Sequence, residues 1–209
     1  MMRIDPHAYA ENFILEDEFQ IRARARGAEV GANDATTGVG SYLRALAHQL
    51  SAQSVVEVGT GSGVGSLWIL SGMITSGTLT SIDDETEHSR IARIAMQDAD
   101  IAPSRYRLIT NSIMDVMTKL TDRAYDLVIL RHDPIDLTYT IDEAHRILRS
   151  GGVLVIDSFF GGGKVPDPAQ RDPKTIALRE AGKRIKTNRD HWQSSLLPVG
   201  DGLLIATKL

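Results

Sequence analysis

The chain contains 209 residues, which is enough for one sizeable hydrophobic core and too few for two comfortable domains. Its net charge of −4 and pI of about 5.9 argue against a nucleic-acid partner. The absence of cysteine excludes disulfides, a thiol nucleophile and thiolate metal sites. No apolar run reaches the length of a membrane span and no signal-peptide core opens the chain, so we expect a cytoplasmic protein with no membrane partner.

Two helices are predicted in the first fifty residues. The first covers residues 6 to about 31 and ends near Gly27 and Gly31. The second covers 39–50, where apolar side chains recur on one helical face. Residues 1–50 are therefore expected to form a helical cap ahead of the core. The apolar members of the first helix would be Phe13, Ile14, Leu15, Phe19 and Ile21.

A strand at 54–59 breaks into alternating glycines and re-forms as a helix at 63–75. Such a turn brings backbone N–H groups and a helix N-terminus close to a ligand. A dinucleotide-binding loop needs glycine at its first, third and sixth positions. This sequence lacks that pattern, because the sixth position is Val64 when counted from Gly59 and Ser66 when counted from Gly61. A phosphate-binding P-loop also fails, since no Gly-Lys-Ser/Thr closes the turn.

A second acidic position follows the next strand, predicted at 78–82. Asp83 and Asp84 lie at its C-terminal end, about 20 residues beyond the glycines, where an acid suits hydrogen bonding to a ribose diol. An acid at this place also serves as the N-cap of a helix from residue 85. Because Asp83 occurs together with Glu57 and the glycines, we favour a ribose-binding role over a capping role.

Strands and helices alternate through the rest of the chain. The pattern predicts an α/β fold with a doubly wound, mostly parallel seven-stranded sheet and an antiparallel C-terminal strand. Ligands bind such sheets beyond the C-terminal strand ends, where polar residues cluster at 111–114, 131–133 and 157–158. The remaining elements are helix 85–98, strand 105–110, helix 112–120, strand 125–130, helix 138–149, strand 152–157, helix 172–187, and strands 192–197 and 202–208.

The run Glu57-x-Gly59-x-Gly61-x-Gly63 resembles motif I of the class I S-adenosylmethionine-dependent methyltransferases. Nearly the whole chain resembles the small catechol O-methyltransferase-like family, which includes bacterial and caffeoyl-CoA members. The matching segments are 56–61, 67–68, 81–83, 125–128 and 149–157. The resemblance implies a Rossmann-like core at 51–209, one methyltransferase domain over 1–209, S-adenosylmethionine as cofactor, and a homodimer.

The same resemblance implies a set of cofactor-binding residues along the strand ends. Thr36 would lie at the methionine end, Asp83 and Asp84 at the ribose, and residues 112–114 beside the adenine. The full set is Thr36, Glu57, Gly59, Thr60, Gly61, Gly63, Gly65, Ser66, Asp83, Asp84, Ser112, Ile113, Met114, Arg131 and His132.

Family members usually bind a divalent cation through an Asp after the fourth strand and an Asp-Asn pair after the fifth, with a Lys three residues past the first Asp. Here Arg131 and Pro134 stand at the Asp and Lys positions, and Ser158 replaces the Asn after Asp157. An arginine repels a divalent ion, so we expect no metal, with Asp133 and Asp157 as the only alternative ligands. Arg131 could instead serve as a fixed cation that pairs with Asp157 or orients an anionic substrate.

Without a metal, the proton of an acceptor hydroxyl needs a base. His132 is the first candidate, because its ordinary pKa is near neutrality, and Asp133 is the second. Cofactor contact or packing is the alternative role for His132, and helix capping for Asp133. With Arg131 and Asp157, these residues form the candidate catalytic set.

The sequence therefore predicts an O-methyltransferase for a small-molecule hydroxyl acceptor, phenolic or otherwise. Its specificity would lie in the loops at 31–38, 131–138 and 158–170. The missing metal Asp and Lys leave open a catalytically degenerate cofactor-binding protein. A nicotinamide-dependent oxidoreductase is disfavoured by the glycine spacing and by the lack of a Tyr-x-x-x-Lys pair, and a nucleic-acid methyltransferase by the acidic charge.

Overall fold

A computed structural model describes residues 5–209 and contains one seven-stranded sheet. The strand order is β3-β2-β1-β4-β5-β7-β6, and β7 runs antiparallel to both of its neighbours. This confirms the predicted α/β architecture. The strands are β1 (Ser54–Val58), β2 (Thr78–Asp83), β3 (Tyr106–Thr110), β4 (Tyr125–Leu130), β5 (Leu148–Ile156), β6 (Trp192–Leu197) and β7 (Leu203–Lys208).

Helices cover both faces of the sheet, and two short 3-10 turns (Pro103–Arg105 and Pro134–Asp136) connect elements. In the described part of the chain, no helix is both long and apolar enough to cross a membrane. The helices are α1 (Pro6–Glu11), α2 (Glu18–Val30), α3 (Thr37–Gln49), α4 (Val64–Gly72), α5 (Thr86–Asp98), α6 (Ile113–Met117), α7 (Leu137–Ile147) and α8 (Pro173–Thr187).

Two hydrophobic cores lie on opposite faces of the sheet because the side chains of a strand alternate in direction. In β4, Leu127 and Ile129 face the core formed with α2 to α5, and Val128 and Leu130 face the core formed with α6 to α8. The central strands are buried on both faces, which explains their continuous runs of β-branched and aliphatic residues.

The prediction of a single N-terminal helix at 6–31 is wrong. The chain forms α1 and α2 instead, because Asp17 and Gln20 make a capping box that starts a new helix. Phe13, Leu15 and Ile21, named as apolar members of that helix, are 67%, 73% and 56% exposed. The smaller Ala23 and Gly27 provide the buried side of α2.

The strand order reverses between β1 and β4, which pair side by side while β2 lies on the other side of β1. Connections from these strands leave toward opposite faces of the sheet, so a crevice opens beyond their C-terminal ends. The glycine turn, Asp83 and the segment 131–133 all lie at this edge.

Candidate functional site

The turn between β1 and α4 depends on glycine. Gly59 has φ of 91°, and a Cβ there would lie 2.1 Å from the carbonyl oxygen of Arg131. Gly63 is the N-cap of α4 in a left-handed conformation and makes no side-chain capping bond. The first N–H groups of α4 therefore receive no capping bond from the side chain of the N-cap residue.

Asp83 holds this turn in place. Its Oδ2 accepts a hydrogen bond from the backbone N–H of Gly61 at 3.0 Å, and its Oδ1 accepts one from Glu85 N at 3.0 Å. Nδ1 of His88 lies 3.2 Å from Oδ1. Asp83 is not the N-cap of α5, which is Glu85 without a side-chain capping bond, so the capping alternative is wrong. Asp83 instead holds the segment ahead of α5 and lines a cavity.

Two cavities open at the C-terminal edge of the sheet. We call the first, of about 210 Å³, the glycine-loop cavity; it is lined by the glycine turn, the end of β2 and Ile113. The second, of about 420 Å³, is the β5–α8 cavity, lined by the end of β5, the loop after it and the start of α8. Both cavities share Asn33, Arg131 and His132, so a ligand in one can meet a ligand in the other.

The predicted cofactor residues divide into three groups in the structure. One group lines the glycine-loop cavity: Gly59, Gly61, Asp83, Asp84, Ile113, Arg131 and His132. Thr36 lines the β5–α8 cavity and caps α3. The others line neither cavity: Glu57, Thr60, Gly63, Gly65, Ser66, Ser112 and Met114.

Several residues of this last group support the turn from beneath. Glu57 is fully buried and accepts hydrogen bonds from the hydroxyls of Ser66 and Ser81. The Thr60 hydroxyl lies 2.7 Å from that of Ser81. These side chains position the backbone that faces the cavity and do not themselves reach it.

Arg131 lies between two buried carboxylates contributed by neighbouring strands. Its Nε donates to Oδ2 of Asp157 at 2.8 Å, and Nη1 lies 3.4 Å from Oε1 of Glu57. Burial opposes the charge on Arg131, but the carboxylates of Asp157 and Glu57 keep its pKa raised. Burial also raises the pKa of Glu57, while Arg131 acts in the opposite direction.

This arrangement does not fit a divalent cation, because a guanidinium already occupies the space between the carboxylates. Asp133, the alternative metal ligand, pairs with Lys174 instead of approaching Asp157. Among residues 5–209, no cluster of three or more His, Cys, Asp or Glu side chains could hold a metal ion.

The imidazole of His132 has both ring nitrogens engaged. Nδ1 lies 2.8 Å from the carbonyl oxygen of Asp133, and Nε2 lies 3.0 Å from Oγ1 of Thr140. Burial lowers the pKa of His132, although the Asp133 carbonyl and nearby carboxylates counteract this effect. A donor at Nδ1 suits the Asp133 carbonyl and leaves Nε2 of a neutral ring as an acceptor facing the Thr140 hydroxyl. That hydroxyl also lies 3.3 and 3.2 Å from the carbonyl oxygens of Asp136 and Leu137. Both ring nitrogens of His132 are therefore in contact with polar groups of the protein.

Asp133 begins the short 3-10 turn after β4. Its Oδ1 accepts from Ile135 N at 3.1 Å, and its Oδ2 lies 2.7 Å from Nζ of Lys174. The Lys174 ammonium is the main cause that lowers the pKa of Asp133. Asp133 thus has the capping role that the sequence allowed, together with an ion pair to α8.

Sequence reasoning did not identify Asp34 and Lys174. Asp34 accepts hydrogen bonds from the N–H and the hydroxyl of Ser62, at 2.9 and 2.7 Å, and so fastens the helical cap to the glycine turn. Lys174 lines the β5–α8 cavity from the first turn of α8. The only local signals were a loop at Asn33-Asp34 and a helix start at Asp172-Pro173.

Comparisons with known proteins agree with this geometry. A family model described as O-methyltransferase matches residues 6–209. A protein of Mycobacterium tuberculosis named as a probable O-methyltransferase is 45% identical over 201 residues, which cover 96% of this chain and 89% of that protein.

Solved structures extend the comparison. The crystal structure of a Corynebacterium glutamicum protein is similar with a TM-score of 0.89 and 32% identity, covering 96% of this chain and 94% of that one. The O-methyltransferase from Bacillus cereus, solved in complex with SAH, has a TM-score of 0.87 at 20% identity, covering 97% and 96%. At 20% identity, the similarity to the Bacillus cereus structure shows a shared fold only.

Proposed function

Because the chain belongs to the O-methyltransferase family, we propose that it transfers the methyl group of S-adenosylmethionine to a hydroxyl oxygen of a small-molecule acceptor. The observation that carries this proposal is the glycine turn between β1 and α4, which opens beside Asp83 into the glycine-loop cavity. The family match spans the helical cap and the core, which supports a single methyltransferase domain.

The charge of the glycine-loop cavity suits this cofactor. S-adenosylmethionine supplies an electrophilic methyl group on a positively charged sulfur, and acidic side chains outnumber basic ones around the cavity. Asp83 would accept hydrogen bonds from the ribose, and Ile113 would border the adenine. The carboxylates are those of Asp83, Asp84, Glu85, Asp133 and Asp136, against the guanidinium of Arg131.

The acceptor would bind in the β5–α8 cavity, which adjoins the glycine-loop cavity at Arg131 and His132. Its lining includes the aliphatic side chains of Leu130, Ile156 and Leu178, which suit an apolar or aromatic body. This composition supports a phenolic acceptor.

We propose further that the transfer requires no divalent metal. The support is the Arg131 guanidinium, which pairs with Asp157 and Glu57 at the position where a metal ligand would stand. His132 would form part of the wall between the two cavities, and Asp133 would hold Lys174. Neither is proposed as the general base, because His132 has both nitrogens engaged and Asp133 is ion-paired.

A homodimer in the cytoplasm is also proposed. The dimer is supported by the exposed apolar side chains of Phe13, Leu15 and Ile21, which are numerous for one short region of a monomer surface. The absence of cysteine agrees with a compartment in which disulfides do not form.

A second candidate function is cofactor binding without catalysis. It is favoured by Arg131, Pro134 and Ser158, which replace a metal ligand, a lysine and a second metal ligand of the resembled family. A turnover assay separates the two candidates. Binding of the cofactor with no turnover on any hydroxyl or acidic acceptor would support the non-catalytic protein.

Calorimetric titration with S-adenosylhomocysteine (SAH), the demethylated product, tests the proposal. The titration is run with magnesium and again with a chelator. We expect micromolar affinity in both buffers, since Asp83 and the glycine turn need no metal to bind the ligand. No binding in either buffer would refute the methyltransferase proposal, whereas binding that requires magnesium would refute its metal-independent part.

A further inference from the structure

A lysine from α8 reaches the segment that follows β4. Pro134 occupies the family's lysine position in the sequence. Nζ of Lys174 lies 2.7 Å from Oδ2 of the adjacent Asp133, and Lys174 lines the β5–α8 cavity. The fold thus brings from α8 an ammonium group that the segment after β4 lacks.

This ammonium group is available to a ligand. The side chains of Lys174 and Asp133 are 61% and 50% exposed, and ion pairs at such exposure contribute little. An anion that enters the cavity can therefore replace Asp133 as the partner of Lys174. Arg131 differs, because the buried carboxylates of Asp157 and Glu57 hold it.

Among residues 5–209, each imidazole and carboxylate that lines this cavity already has a partner within the protein. The other lysine of the cavity, Lys164, lies 3.9 Å from Oδ2 of Asp172. His132 has both ring nitrogens engaged, and Asp157 is paired with Arg131. The remaining carboxylates already accept hydrogen bonds from the protein. These bonds come from Ser62 to Asp34, from Thr175 to Asp172 and from Gly162 to Asp201.

Resting on the proposed methyl transfer to oxygen, we infer that the acceptor oxygen is already an anion when it enters this site, and that Lys174 binds it. The anion is an ionised hydroxyl such as a phenolate or, beyond the proposed hydroxyl class, a carboxylate. The anionic oxygen donates an electron pair to the methyl carbon, and the carbon–sulfur bond breaks with its electron pair remaining on sulfur. The negative and positive charges cancel, and no proton has to be removed. A site without a free base is sufficient for such an acceptor.

Calorimetric titration of the SAH-loaded protein with benzoate and with benzamide tests this inference. The two probes are similar in size, and only benzoate is charged. We expect benzoate to bind at least about tenfold more tightly, which is the effect of one charge-assisted hydrogen bond.

Substitutions show which group causes the preference for benzoate. Lys174→Met should remove the preference for benzoate, and Lys174→Arg should retain it, because the charge is kept. Asp133→Asn should strengthen benzoate binding, since Lys174 loses its competing partner. Lys183→Met is the matched control, because Lys183 is an exposed lysine of the same helix that lines neither cavity.

The outcomes separate this inference from the proposed function. Equal binding of the two probes, no binding of benzoate, or an unchanged preference in Lys174→Met would overturn the inference, while SAH binding would leave the methyltransferase proposal intact. Failure of SAH itself to bind would instead refute the proposed function.

Discussion

At the scale of single residues, Arg131 is the side chain on which the candidate site depends. Its partners come from two other strands, Glu57 from β1 and Asp157 from the end of β5. All three side chains are at most 3% exposed, so each charge relies on the others instead of on water. Arg131 is therefore the cation that balances two buried carboxylates at the C-terminal edge of the sheet.

Replacing Arg131 should destabilise the protein strongly. Arg131→Met leaves Glu57 and Asp157 buried without a cation, so we expect the free energy of unfolding to fall by about 3–5 kcal/mol. Urea denaturation measures this change. Arg90→Met is the control, because Arg90 pairs with Glu87 at 58% and 47% exposure and its loss should change stability far less. Losses of equal size would show that water reaches the carboxylates around Arg131.

At the scale of elements, the glycine turn serves two purposes. Gly59 and Gly63 have left-handed backbones that open the turn toward the cavity. Gly65 has a different role, since a Cβ there would lie 2.5 Å from Oε1 of Glu57 and 2.9 Å from Nη1 of Arg131. The glycine at 65 therefore makes room for the buried ion pair beneath α4.

This role predicts the effect of Gly65→Ala. The added methyl group should push Glu57 and Arg131 apart and lower the free energy of unfolding by about 1–3 kcal/mol, as overpacking does. Ser71→Ala, at an exposed position of the same helix, should have a much smaller effect. Urea denaturation of both variants measures these changes in the free energy of unfolding. A Gly65→Ala protein as stable as the wild type would mean that Arg131 has room to move away.

At the scale of the whole molecule, the exposed apolar residues between α1 and α2 predict self-association. Light scattering should give about twice the chain mass of 22.8 kDa. Leu15→Glu combined with Ile21→Glu should yield monomers, because charges on a contact surface are costly to bury. Ile176→Glu, at an exposed apolar position of α8, should leave the mass unchanged. A monomeric wild type would exclude the dimer.

The sequence by itself determined the sheet and the location of the site. Runs such as Tyr125–Leu130 match their observed bounds, because a buried strand carries its signal in consecutive side chains. The glycines after β1 and the acid after β2 are likewise local signals, and parallel strands bring their C-terminal ends together. The prediction failed for residues 6–31, where one continuous helix was expected and a capping box at Asp17 begins a second helix.

Only the tertiary structure decided which side chains meet at the site. Arg131 and Glu57 are 74 residues apart in the chain, and Lys174 reaches Asp133 from another helix. Periodicity and spacing describe neighbours along the chain, whereas these contacts depend on how strands and helices pack. For the same reason, the contacts of both His132 nitrogens and the burial of Glu57 could not be predicted from neighbouring residues in the sequence. A residue type identifies the chemistry that a group can perform, and packing determines whether that group is free to perform it.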